Sequence, residues 1–322
     1  MPVISASAPG KVILLGEHAV VYRQPAIAVP VEQVRARVMV SPEPRRPPGQ
    51  VRLQAPGIGL DSTLEDIPSA HPLVLAVSLV LEELRISRPP AMTIRVTSTI
   101  PVAAGLGSGA AVSVALLRAL SEFLGYPLSQ RRVSELAFEV EKVHHGTPSG
   151  IDNTVITYNK PVYFVRGGSF LENRVEMIPI GEAFQLVIAN TGVPSPTGQV
   201  VGEVRRAWEA DPDRYNTLFQ RIGELVEQAR DCIERGRTEL LGPLMDENHS
   251  LLEEIGVSSI ELDRLVNAAR RAGASGAKLS GGGRGGNMIA LVNADAAGRV
   301  AKTLQAAGAA QTILTTVGAG KV

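Results

Sequence analysis

Short runs in which apolar and polar residues alternate dominate the first hundred positions, broken repeatedly by Gly and Pro. Val3–Ala8, Lys11–Leu15 and Gln33–Ser41 are rich in β-branched residues and predict strands. Ser41–Gln50 holds a Pro/Arg cluster that reads as an exposed connection. Pro72–Leu84 reads as a helix, and Met92–Thr99 as a strand in which Ile94 and Val96 alternate with Arg95 and Thr97. A glycine-rich loop follows, and then Val112, Val114, Leu116, Leu117 and Leu120 recur at helical spacing within Ala110–Leu124. Ser129–His145 predicts a second helix, closed by Gly146 and Pro148.

Strands are predicted again at Thr154–Tyr158 and Val162–Val165, with a hairpin around Gly167–Gly168. From Gln199 the period changes to that of long helices: Gln199–Glu209, Arg214–Glu234, Glu239–Ile255 and Ser258–Ala272. The chain returns to strands at Gly276–Leu279, Asn287–Val292 and Thr312–Thr316, with one helix between. The expectation is a mixed α/β (α+β) fold in two domains, residues 1–178 and 179–322, meeting around Met177–Gln185.

Composition narrows the partners. With 322 residues and 44% hydrophobic content, the chain can bury a substantial core, and at roughly 100–200 residues per domain two domains fit. The 32 basic residues balance 32 acidic ones, which argues against a nucleic acid or an anionic membrane as the main partner. Cys232 is the one cysteine, so no intramolecular disulfide can form; within a helical stretch it reads as a small packed side chain. Met1–Gly10 lacks a basic region followed by an apolar run, and no stretch reaches the roughly 18 apolar residues of a membrane span. A cytoplasmic location is expected.

The loop Pro101-Val-Ala-Ala-Gly-Leu-Gly-Ser-Gly-Ala-Ala111 lies between a strand and a helix. Glycines let backbone amides approach an anion, and the helix start adds its positive dipole end, so the loop suits phosphate. Glycine loops also serve as plain turns. Gly105-x-Gly107-x-x-Ala110 matches a dinucleotide fingerprint locally, but the acidic strand end due about 20 residues on is replaced by Gly125–Gln130 and a helix. The Walker A pattern and the H-R-D and D-F-G pieces of a protein kinase do not occur. A second run, Ser280-Gly-Gly-Gly-Arg-Gly-Gly286, is flanked by strands. A flexible hairpin turn would account for some of it. Five glycines in seven residues suggest close approach of the backbone to a ligand.

Several polar residues could do chemistry beside these loops. Asp152, in Pro148-Ser-Gly-Ile-Asp-Asn153 just past a helix, could accept a hydroxyl proton, although Asp in such a setting is commonly a cap or turn residue. Lys11 opens an apolar strand, where it could snorkel at an edge or hold Asp152 ionised. His18 could donate a hydrogen bond to a polar substrate, or be structural. Glu141 could bind the Mg²⁺ of a nucleotide, or sit on a solvated helix face. His144 and His145 adjoin and lack a third ligand at metal spacing, which argues against zinc.

Pro9-Gly-Lys-Val-Ile-Leu-Leu-Gly-Glu-His-Ala-Val-Val21, Gly105-Leu-Gly-Ser-Gly-Ala110, Pro148-Ser-Gly-Ile-Asp152 and Lys278-Leu-Ser-Gly-Gly-Gly-Arg-Gly-Gly286 occur in one order. Together they resemble the GHMP small-molecule kinase superfamily, most closely its mevalonate kinase branch, nearly end to end. The resemblance implies a ribosomal-protein-S5-like N-terminal domain, a ferredoxin-like C-terminal domain and an active site between them. It implies transfer of the ATP γ-phosphoryl group to the primary hydroxyl of mevalonate, giving 5-phosphomevalonate in isoprenoid biosynthesis, with Mg²⁺ as cofactor. By similarity Asp152 is the catalytic base or hydroxyl-orienting residue and Lys11 its charged partner. Gly105, Leu106, Gly107, Ser108, Gly109 and Ala110 bind nucleotide, and Glu141 with Ser108 holds the metal. Glu17, His18, Thr197, Gly281 and Gly282 line the substrate site. ATP and mevalonate are the implied partners, without nucleic acid or membrane, and a homodimer is compatible.

Two positions depart from the superfamily pattern. The nucleotide loop usually reads G-L-G-S-S-A with its second serine on Mg²⁺, and Gly109 stands there. The C-terminal run is normally all small residues, and Arg284 interrupts it, facing either solvent or the phosphates. Glu17-His18-Ala19-Val20-Val21 favours mevalonate over the sugar of galactokinases. A phosphomevalonate kinase would need extra cations around the acceptor. A catalytically silent relative is the alternative that Gly109 supports and Lys11, Glu141 and Asp152 oppose.

Overall fold

The structure is a computed structural model that describes residues 2–101, 105–145, 148–169 and 172–318. The predicted helix stop at Gly146, the loop residues 102–104 and the side chains of His144 and His145 lie outside the described residues. In chain order the elements are β1 (Ile4–Leu15), β2 (Pro25–Pro42), β3 (Val51–Ala55), β4 (Leu60–Thr63), α1 (Pro72–Glu83), β5 (Met92–Ser98), α2 (Ser108–Phe123), α3 (Gln130–His145), α4 (Ile151–Tyr158) and β6 (Val162–Val165). There follow β7 (Arg174–Met177), β8 (Phe184–Asn190), α5 (Thr197–Ala210), α6 (Pro212–Glu234), α7 (Leu241–Ile255), α8 (Ile260–Arg271), β9 (Gly276–Ser280), β10 (Asn287–Val292), α9 (Ala294–Ala306) and β11 (Gln311–Val317).

The chain forms two compact units. The first takes in Met1–Gly10, Val34–Val102 and Gly107–Asn159, and the second Lys11–Gln33, Ala103–Leu106 and Lys160–Val322. Residues of β1 and β2 are therefore divided between them.

In the first unit the strand order is β4-β3-β5-β2, with β3 parallel to β5 and the other pairs antiparallel. Ala36, Val38 and Val40 of β2 are buried while Arg37 and Met39 are exposed, the period-two pattern of a strand with one face on the core. Helix α2 sits among α1, α3 and α4. It is buried on nearly every side, through Ala110, Ala111, Val114, Ala115, Leu116, Leu117, Ala119 and Leu120, as a helix apolar all round must be.

One prediction here is overturned. Thr154–Tyr158 is not a strand but the body of α4. Its β-branched residues favour strands only weakly, and packing decides. Ile151, Val155 and Ile156 are buried at helical spacing, and the Thr154 hydroxyl donates to Gly150 O at 2.7 Å, a bond only a helix supplies. The Asn153 amide donates to both O and Oγ of Ser134 at 3.0 Å, tying α4 to α3.

In the second unit, β11-β8-β10-β9 form an antiparallel sheet. Separately, Pro25–Ala28 of β2 pairs with β6, and β6 with β7. Every residue of β10 is buried, with α8 and α9 packed on it. The loop from β9 to β10 is the second glycine run, and it closes a hairpin, the alternative to the ligand approach that its five glycines suggested. Cys232 is buried in α6, and burial pushes its thiol up, consistent with a packing role. Among the described residues, no helix is long and apolar enough to cross a membrane.

Candidate active site

The predicted site residues fall into two sets. Gly107, Ser108, Gly109, Ala110, Glu141 and Asp152 belong to the first unit; Lys11, Glu17, His18, Gly105, Leu106, Thr197, Gly281 and Gly282 belong to the second.

Within the first unit, Gly107 is the N-cap of α2 in left-handed backbone (φ 71°), which a side-chain residue adopts only at a cost. Gly107 has no side chain to cap the helix, and the dipole end favours an anion there. Ser108 is half-buried and Gly109 exposed in that first turn. Ser113 Oγ donates to Gly109 O at 3.0 Å. Glu141 is buried on α3 rather than solvated (4% exposed). Asp152 is half-buried in the first turn of α4, not in a loop as the sequence suggested. The carboxylate and hydroxyl oxygens of Glu141 and Ser108 are the hard donors that Mg²⁺ takes.

In the second unit, Lys11 is buried in β1 rather than snorkelling at an edge, and its amide donates to Leu106 O at 3.0 Å. Glu17 has no route to water: one carboxylate oxygen receives the Lys278 ammonium, which also donates to Leu279 O. Burial pushes the Glu17 carboxyl up and the Lys278 amine down, and the attraction between them opposes both shifts. Ser280 ties β9 to β1 as well. Its hydroxyl accepts from Ile13 N at 3.2 Å and donates to Ile13 O at 2.9 Å.

His18 corrects an expectation. Its Nε2 lies 3.0 Å from Gly282 O. A carbonyl only accepts, so Nε2 carries the proton. Burial lowers the His18 pKa to about 4, which keeps the ring neutral. Nδ1 is then a lone-pair acceptor, and His18 can accept a hydrogen bond from a substrate hydroxyl instead of donating one.

Thr197 opens α5 beside Gly282, where an added Cβ would stand 2.7 Å from Thr197 Oγ1. At Gly283 an added Cβ would collide with Val257 O. Close backbone approach does explain the glycine run, but at these two positions the neighbour is the protein itself. Only open space surrounds Gly281, at φ 98°. Arg284, at φ 53°, donates through Nε and Nη2 to Gly256 O at 3.3 and 3.2 Å and pairs with Glu203.

The sequence reading missed the role of Lys278 and Ser280. A lysine inside the apolar strand Gly276–Ser280 was the available signal, since a buried ammonium needs a partner. Among the described residues, His249, Glu253 and Asp263 also cluster within 4.8 Å. His249 Nδ1 accepts from Leu279 N at 3.3 Å, so Nε2 holds the proton and has no lone pair for a metal.

The family model for the GHMP kinases N terminal domain matches residues 72–160, and that for the GHMP kinases C terminal domain matches 229–310. The chain belongs to the GHMP kinase family. It has that family's two-domain, mixed α/β fold and is an ATP-dependent small-molecule kinase. Among its relatives, the mevalonate kinase of Pyrococcus furiosus is 37% identical over 308 residues, which is 89% of each chain. The crystal structure of L. major mevalonate kinase in complex with R-mevalonate superposes with a TM-score of 0.82 at 32% identity, covering 97% of this chain and 95% of that one. The Methanococcus jannaschii mevalonate kinase structure gives 0.82 at 26% identity, covering 98% and 97%.

Proposed function

We propose that this GHMP kinase transfers the γ-phosphoryl group of ATP to the 5-hydroxyl of (R)-mevalonate, giving 5-phosphomevalonate and ADP. The observation that carries the reading is the end-to-end match to mevalonate kinases, 37% identical to the Pyrococcus furiosus protein over 89% of both chains. The acceptor side of the second unit agrees with it: neutral His18, Thr197 and Gly282 offer hydrogen-bond acceptors and a hydroxyl, suited to a polyol acid.

In this reading Asp152 takes the proton of the acceptor hydroxyl as its oxygen attacks the γ-phosphorus in line. The bond to the β–γ bridging oxygen breaks, and ADP leaves with that electron pair. Lys11 supplies positive charge for the acceptor and orients its hydroxyl. The amides at the start of α2, with Gly105 and Leu106, bind the phosphates. Glu141 and Ser108 would hold Mg²⁺, which would supply positive charge to the transferring phosphoryl group. The reaction runs in the cytoplasm, where ATP is abundant.

A phosphorylated acceptor is the competing reading, and Arg284 speaks against it. The cation inside the glycine run is already engaged by Glu203 and Gly256 O. An ATP/Mg²⁺ assay across mevalonate, phosphomevalonate, homoserine and galactose is expected to show turnover of mevalonate. Turnover of any other with none of mevalonate would overturn the assignment.

A further inference from the structure

Arg284 stands where the superfamily pattern has a small residue, and its backbone (φ 53°) lies in the left-handed region that non-glycine residues rarely occupy. Such a conformation is strained for a residue with a Cβ, and Gly would relieve the strain. A side chain held there despite it needs compensating contacts, and the Arg284 guanidinium has two partners beside the bond its backbone makes. Its amide donates to Val257 O at 2.8 Å. Its Nε and Nη2 both donate to Gly256 O, at the C-cap of α7. Its Nη1 pairs with Glu203 on α5. Glu203 is set for this pairing by Gln199, one turn earlier, whose amide donates to it at 2.8 Å.

The contacts around Arg284 connect the same two segments from the other side. Ser195 Oγ donates to Gly283 O at 2.7 Å, and Gly286 N donates to Val193 O at 2.8 Å. Thr197, the first residue of α5, rests against Gly282, whose carbonyl in turn holds His18. Those contacts reach no further along α5 than its first residue; Arg284 fastens the helix six residues past Thr197 and anchors it to the end of α7.

We infer that Arg284 is a positioning residue for the acceptor site, clamping α5 to the glycine run and α7 so that Thr197, Gly282 and His18 keep one arrangement. It touches neither acceptor nor nucleotide in this assignment and acts through Thr197 and Gly282. The inference rests on the proposed mevalonate acceptor only for its kinetic readout.

Removing an interaction made equally in ground and transition states raises KM and leaves kcat unchanged. For R284G, which also relieves the left-handed backbone, KM for mevalonate is expected to rise about threefold to tenfold, the range of one exposed, partly ordered ion pair with its hydrogen bonds. KM for ATP and kcat stay within about twofold. Glu203→Gln gives the same split, R284K recovers part of the loss, and the R284G/E203Q double variant is no worse than R284G alone. Amide hydrogen exchange of α5 in the intact protein, without ligand, is expected to quicken over 197–204 in R284G. That second readout stands whatever the acceptor proves to be. If the wild type fails to turn over mevalonate, the function is wrong while exchange still decides the clamp. Unchanged exchange over 197–204, or a fall in kcat equal to the loss in kcat/KM, overturns it.

Discussion

Lys278 has no exposed surface, and its ammonium is held by Glu17 and Leu279 O. A buried ion pair of this kind adds little net stability but is costly to break singly, so it specifies which segments meet. Here it sets Glu17, and therefore the neighbouring His18, against β9. The sequence named Glu17 and His18 as substrate residues, yet pairing across 261 positions carries no local signal. His18 and His249 have a consequence for stability. Burial lowers them to about 4 and about 3, against an ordinary value of 6.5. A histidine depressed in the folded state favours unfolding where the unfolded chain takes up the proton, so stability is full above pH 6.5 and is lost as pH falls toward the folded values. At pH 5 each should cost about 2 kcal/mol relative to pH 7.5. Urea unfolding at the two pH values measures the loss. His249→Asn keeps an acceptor for Leu279 N, so it should remove about half of the pH difference. An undiminished difference would mean that these rings do not govern it.

At the level of elements, amphipathic helices and the C-terminal hairpin were legible because their periods are long or their turns distinctive. Predicted Pro72–Leu84 and Arg214–Glu234 coincide with α1 and α6 to within two residues at either end. Short strands such as β3 and β4 were not, and two further elements show why. Helix α4 is short and rich in Val, Ile and Thr, so its local preference opposed its packing. Strand β8 lies in the middle of the second unit's sheet, paired with β10 and β11, yet was passed over as a domain junction. It is buried on both faces, so no alternation marks it. The first glycine run reads as a strand-to-helix loop, and α2 begins within it, at Ser108. Gly109 is the open position on that first turn. Ser at this site should stabilise α2 by about 0.5 kcal/mol through helix propensity alone. If its hydroxyl also reaches the metal, the Mg²⁺ concentration for half-maximal activity should fall by about tenfold, the worth of one charge-assisted contact. A Gly109→Ser protein with higher stability and unchanged Mg²⁺ dependence would assign the position to the helix and not to the metal.

Across the whole molecule, chemistry and binding should separate. Asp152, the proposed proton acceptor, lies on α4, whereas the proposed acceptor contacts belong to His18, Thr197 and Gly282. A ligand that binds only the folded chain stabilises it by RT ln(1 + [L]/Kd), about 2.7 kcal/mol at a hundredfold excess over Kd. For a chain of this size that raises the melting temperature by ~5 °C. Mevalonate with MgADP, which cannot react, should therefore shift the wild-type melting temperature by that amount, while galactose should not. Asp152→Asn keeps nearly the same shape and loses only the basic oxygen, so it should retain the mevalonate shift within about 1 °C while turnover falls by about a thousandfold or more. Calorimetry on the two proteins, with turnover measured beside it, tests both halves at once. Turnover near the wild-type rate in Asp152→Asn would remove that residue from the chemistry. A lost shift together with lost turnover would make it a binding residue instead.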